Sequence, residues 1–186
     1  MFDKVLEHQI CFGFFGLNDG ITIDGDELES QSAVGDFKNF IGDFVLRVQR
    51  VYSFSFKIIN ALTCKIGIVQ KSFIDSLKNQ NQPMKGAFCD SLHGYALFST
   101  GYKRNGSVKQ TTGTALPNTT KISRAFCPGD TITMVFDSEK GTLSCFLNRN
   151  FLGVIFLEEK FKNEEFYPAV AILGEREKVR LTYFEI

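Results

Sequence analysis

The chain has no tryptophan, two histidines and four prolines in 186 residues. The lack of an indole argues against a sugar-stacking platform. The two histidines, His8 and His93, leave little for metal or acid–base chemistry. Cys89 and His93 stand four apart, but no second pair completes a tetrahedral metal set. Nor does a local signature orient that histidine toward a cysteine nucleophile. Formal net charge is zero, so the basic excess of a nucleic-acid binder is missing. Lys103-Arg104 and residues 176–180 are too short and too mixed in sign to replace it.

Other absences narrow the class further. No charged-then-apolar leader and no apolar run of about 18 residues occurs, so we expect neither a signal peptide nor a membrane helix. Cys11, Cys64, Cys89, Cys127 and Cys145 are odd in number and form no CxxC pair. Reduced thiols in the cytosol, or alternatively the nucleus, fit that pattern. The glycosylation-like triplets at Asn105 and Asn118 then read as chance matches. Gly13, Gly16 and Gly20 lack the following helix that a phosphate cradle needs. Glu158-Glu159 and Glu164-Glu165 fall in a polar connection and face solvent rather than flank a groove. The sequence therefore reads as a non-enzyme with no metal or cofactor.

What is present is phenylalanine, 20 of them, in a chain that is 44% hydrophobic. That supports one folded domain with a full core. Residues 52–58 alternate cleanly: Tyr52, Phe54, Phe56 and Ile58 go inward, Ser53, Ser55 and Lys57 outward. Residues 64–70 read as the hairpin partner. Residues 131–137 alternate in the same way, followed by a turn at Ser138-Glu139-Lys140-Gly141 and a return strand over 142–147. Asn148-Arg149-Asn150 makes a second turn, since Asn tolerates the left-handed region, and 151–157 is a third strand. Residues 21–24, 95–100, 167–173 and 178–184 add further strands. Residues 1–20 form a first strand or an extension, and 27–44 a long loop with one or two short strands. About a dozen short strands between turn signals predict an all-β sandwich with little helix over 21–186. The longest connection, 71–92, is polar and weakly periodic. Loops of that length are either functional or tolerated insertions, and residues 73–79 have room for one or two helical turns.

The order of Lys65-Ile66-Gly67-Ile68, Gly94-Tyr95-Ala96-Leu97, Gly129-Asp130, residues 136–144, Leu152-Gly153-Val154, Tyr167-Pro168-Ala169-Val170 and residues 179–184 resembles the SPRY domain family. The resemblance covers about residues 20–185. It departs from the family at Phe54-Ser55-Phe56, where the aromatic-Glu-Val strand lacks its Glu, and in having Asn148-Arg149-Asn150 for an Asn-Gly turn. The upstream Leu-Asp-Pro motif of a PRY segment has no counterpart, so the likeness is to SPRY without PRY, B30.2-like.

That resemblance implies a bent sandwich of two antiparallel sheets, concanavalin-like. It also implies a non-catalytic module that binds a protein or peptide through loops, as the recognition arm of an assembly such as a ubiquitin-ligase adaptor does. A lectin-like sandwich and a purely structural domain are the alternatives. By analogy with peptide-binding members, contacts fall at Gln31 and Ala33, at Phe73 and Leu77, and at Ile172, Leu173 and Gly174. Leu173 stands where some members place a Trp, which would weaken reading of the same motif, or else it is edge packing. Tyr102 and Arg104 form a second candidate patch or a plain hairpin tip. The expectation is a monomer with a protein partner and with neither nucleic acid nor membrane.

Overall fold

Period-2 alternation gives each strand one apolar face, and two such sheets bury those faces against each other. The structure, a computed structural model, describes residues 12–14, 20–31, 36–80, 82, 84–106 and 121–185. The strands are β1 (Phe12–Phe14), β2 (Ile21–Asp24), β3 (Glu27–Ser30), β4 (Lys38–Gly42), β5 (Val51–Ile58), β6 (Cys64–Gln70), β7 (Gly94–Phe98) and β8 (Lys103–Arg104). After them come β9 (Thr131–Asp137), β10 (Thr142–Leu147), β11 (Asn150–Leu157), β12 (Phe166–Ile172) and β13 (Lys178–Glu185). One helix, α1 (Lys71–Asn79), follows β6, and short 3-10 turns lie at Phe88–Asp90 and Glu159–Lys162.

Among these strands, one sheet runs β1-β4-β12-β6-β7-β8 and the other β11-β10-β9-β5-β13-β3-β2. The central pairings are antiparallel. Tyr52, Phe54, Phe56 and Ile58 of β5 point inward as their alternation predicts, each at most 2% exposed. On the outward face Ser55 shares a 2.7 Å hydrogen bond with Thr133 of the paired strand β9.

Phenylalanine fills the middle. Tyr95 meets Phe156, Phe161 and Phe166 edge-on, with centroids 4.8 to 6.3 Å apart. Phe136 packs on Phe161 and Phe166. Each such pair adds about 0.5–1.5 kcal/mol beyond burial. Phe161 sits on the Glu159–Lys162 turn and is fully buried, so the polar connection of the sequence reading carries a core anchor.

The connection 71–92 is the main difference from the sequence reading. It is neither a free contact loop nor a loose insertion. Helix α1 and the Phe88–Asp90 turn lie on the outer face of the six-stranded sheet. There Ile74, Met84, Ala87, Phe88 and Cys89 bury with Ile41, Val69, Ala96, Ala169 and Ala171 into a second core. Lys65 projects into this layer at 5% exposure and pairs with Asp90 at 2.6 Å. Its ammonium lies 4.1 Å from the Phe37 ring centroid. Asn39 holds the same segment, accepting from Phe88 N–H at 2.7 Å and donating to Gly86 O at 2.7 Å.

Candidate interaction surface

An antiparallel sandwich collects its connections at two ends, and rigid strands fix where they sit. One end gathers the end of β3 and the turns β5–β6, β7–β8, β10–β11 and β12–β13. It also holds residues 121–130, which lead into β9. Here Ser30 N–H donates to Glu177 O and Arg176 N–H to Ser30 O. The Glu177 carboxylate accepts from Leu62 N–H at 3.0 Å and Thr63 N–H at 3.4 Å. Burial pushes this carboxyl above its ordinary pKa, against the pull of those two donors. Leu173 N–H donates to Thr63 O, and Ser99 Oγ to Leu62 O.

The chain of bonds continues across the end. Phe126 N–H donates to Ser99 O. Asp130, with its side chain 8% exposed, accepts both terminal nitrogens of Arg124 at 2.9 Å. It also takes Cys127 N–H and the Asn148 amide. The Arg124 guanidinium beside it holds this carboxyl well below the usual carboxylate range, against the opposing effect of burial. Asn148 and Arg149 form the β10–β11 turn with φ of 51° and 69°, the left-handed pair that a tight hairpin requires. The Glu177 and Asp130 carboxylates each tie two of these segments, and the neutral bonds through Ser30, Thr63, Leu62 and Ser99 join the rest into one platform.

Gln31, Tyr102, Ile172, Leu173 and Gly174 all come together at this end. Gln31 is exposed and its amide donates to Thr22 Oγ1. Leu173 is half-buried, and Tyr102 is 39% exposed. Gly174 has φ +140°, and a Cβ there would lie 2.5 Å from Glu177 Cδ, so the turn requires glycine. Ile172 needs correcting: it is 0% exposed and belongs to the inter-sheet core, so its side chain supports the surface without reaching a partner.

Phe73 and Leu77 are placed elsewhere. They ride on α1, which starts beyond the opposite end of β6, and both pack against the second core. Phe73 also stacks on His93 at 4.5 Å and 11°. Arg104 is half-buried, its guanidinium 5.6 Å from the Phe98 centroid, and its Nε finds no partner among the described residues. Ala33 lies outside the described residues.

Leu62 escaped the sequence reading. It is 69% exposed on the β5–β6 turn, next to Thr63, which binds Leu173. A single Leu between Ala61 and Thr63 carries no periodic signal, so only the fold reveals it. Phe151, Val154 and Leu157 are also exposed, on the edge strand β11. Among the described residues no three His, Cys, Asp or Glu side chains cluster as metal ligands. No described helix is long and apolar enough to cross a membrane.

Comparison with known proteins agrees with this architecture. The sequence profile of the SPRY domain matches residues 51–185. No curated protein matches the chain significantly. The crystal structure of the SPRY domain of human HERC1 is similar with a TM-score of 0.64 at 18% identity, over 87% of this chain and 91% of that one. A human SPRY domain gives 0.66 at 17% identity, over 87% and 93%. At these identities the likeness to solved structures is one of fold.

Proposed function

The chain belongs to the SPRY domain family, whose members are generally protein-interaction modules, and from that premise we propose that it grips a peptide or protein through the platform at Leu173. The observation that carries the proposal is the apolar pair Leu62 and Leu173, set beside Gln31 and Gly174 on hydrogen-bonded turns. An exposed apolar patch on a pre-organised backbone favours binding, because little ordering entropy is lost on contact. Tyr102 is exposed on the β7–β8 turn at the same end.

In this role the domain is non-catalytic and supplies recognition to a larger assembly, as a ubiquitin-ligase adaptor does. Cys64, Cys89 and Cys145 are buried and unpaired, which suits a reducing compartment, so we infer a cytosolic or nuclear protein. A peptide array probed with the wild-type chain and with Leu62→Asp and Leu173→Asp tests the proposal. Hits that vanish in both variants support it. Hits that persist in both, or an array without hits, defeat it. Strong binding on a parallel glycan array would favour a lectin-like role instead.

A further inference from the structure

At the opposite end of the sandwich, the β4–β5 connection lines an open pocket of about 410 Å³. Its lining is Asp43, Phe44, Val45, Arg47, Arg50 and Tyr52. The size falls within the ~300–1,000 Å³ typical of ligand sites. The floor is apolar: Phe44 meets Tyr52 edge-on at 5.7 Å, and Tyr52 is 2% exposed. Arg47 and Arg50 are exposed on the rim, and neither guanidinium has a hydrogen bond or ion pair among the described residues. Asp43 is the acidic group of the lining. Among the described lining residues, two guanidinium groups against the single Asp43 carboxylate leave a local positive excess on a chain whose net charge is zero.

The connection is held in place by its backbone. Leu46 and Phe166 exchange two hydrogen bonds, at 2.8 and 3.1 Å. Arg47 N–H donates to the Tyr52 hydroxyl at 3.1 Å. Ser138 Oγ accepts from Arg50 N–H at 2.8 Å and lies 2.9 Å from Arg50 O, which also takes Ser138 N–H. Between the two arginines Gln49 adopts φ 59°, a conformation that a side chain of this size seldom takes. Such conformations persist where surrounding bonds enforce them, and they concentrate at binding sites. The backbone is thus fixed while both guanidinium groups stay available.

We propose that this pocket is a second docking site, which takes an acidic segment of a partner protein. A side-chain carboxylate of that segment bridges Arg47 and Arg50, and an adjacent aromatic or aliphatic side chain lies along the half-buried Phe44 and Val45. Guanidinium suits the task because its planar fork matches a carboxylate. The Asp43 carboxylate repels a second acid placed on its side, which orients the segment.

The test is a titration of the ¹⁵N-labelled chain, at low salt, with the blocked tetrapeptide Glu-Phe-Glu-Glu. Saturable amide shifts over residues 43–52 are expected. The uncharged Gln-Phe-Gln-Gln peptide should bind at least about tenfold more weakly. The double variant Arg47→Gln, Arg50→Gln should lose a similar factor while keeping its thermal midpoint, since neither side chain has an internal partner. The proposal falls if the shifts do not saturate, if the two peptides bind equally, or if the double variant binds like wild type. It also falls if inorganic phosphate alone reproduces the shifts and the peptide adds nothing. None of these outcomes bears on the Leu173 platform, which lies at the other end.

Discussion

At Asp130 a single carboxylate anchors Arg124 and Cys127 of its own segment and Asn148 of the β10–β11 turn. Its pKa lies far below the reference value of 3.8 because the charged form is the one that is bonded. The resulting stabilisation is full above the unfolded pKa and is lost as pH falls from there toward the folded value. Asp130→Ala should cost on the order of 2 kcal/mol at neutral pH, read from the urea midpoint. Asp130→Asn should also flatten the acid limb of stability below about pH 4. The cysteines make a second prediction at this scale. Burial pushes the Cys89 and Cys145 thiols up to about 12, and Cys64 higher still, while Cys127 is exposed. Of these four, Cys127 alone should react with a maleimide in the folded protein, as peptide mapping by mass spectrometry would show.

Helix α1 shows how an element can act as a cover rather than a contact. Ile74 is its fully buried residue, set against the outer face of the six-stranded sheet. Ile74→Ala should therefore cost about 2–4 kcal/mol in thermal or urea unfolding; a freely exposed loop would lose almost nothing. Gly67 makes a sharper prediction. A Cβ at that position would lie 1.8 Å from Tyr95 O, within the β6–β7 pairing. Gly67→Ala should cost more than about 3 kcal/mol or prevent soluble expression. Legibility in the sequence follows the same physics. Strands β5 and β9 could be read because apolar residues alternate with polar ones on the face away from the inter-sheet core, and β10 followed as the return strand after the turn at Gly141. Strand β12 is buried at every position because α1 and the Phe88–Asp90 turn close its outer face, so its period disappears. Helix α1 spans only nine residues and has no side-chain cap at Gln70, too little for its period to stand out. Ile172 looked like a contact because the resemblance put the turn before the last strand at residues 172–174, but it is the last residue of β12 and its side chain is buried between the sheets.

On the scale of the whole molecule, two packed sheets hold a hydrogen-bonded platform at one end and a basic-rimmed pocket at the other. The platform was legible in part: Gln31, Tyr102, Leu173 and Gly174 followed from turn positions and family resemblance. Leu62 and the tying role of Glu177 depend on contacts between residues far apart in sequence, and Asp130 adds a bond to Asn148 across the strands, none of which a local pattern carries. The most direct test of the account is fluorescence anisotropy with a labelled peptide selected on the array. Its affinity should be compared for wild type, Leu62→Asp and Leu173→Asp, with thermal melting alongside. The account predicts at least about tenfold weaker binding in each variant with melting little changed. Unchanged affinity in both variants, with the fold intact, would contradict it.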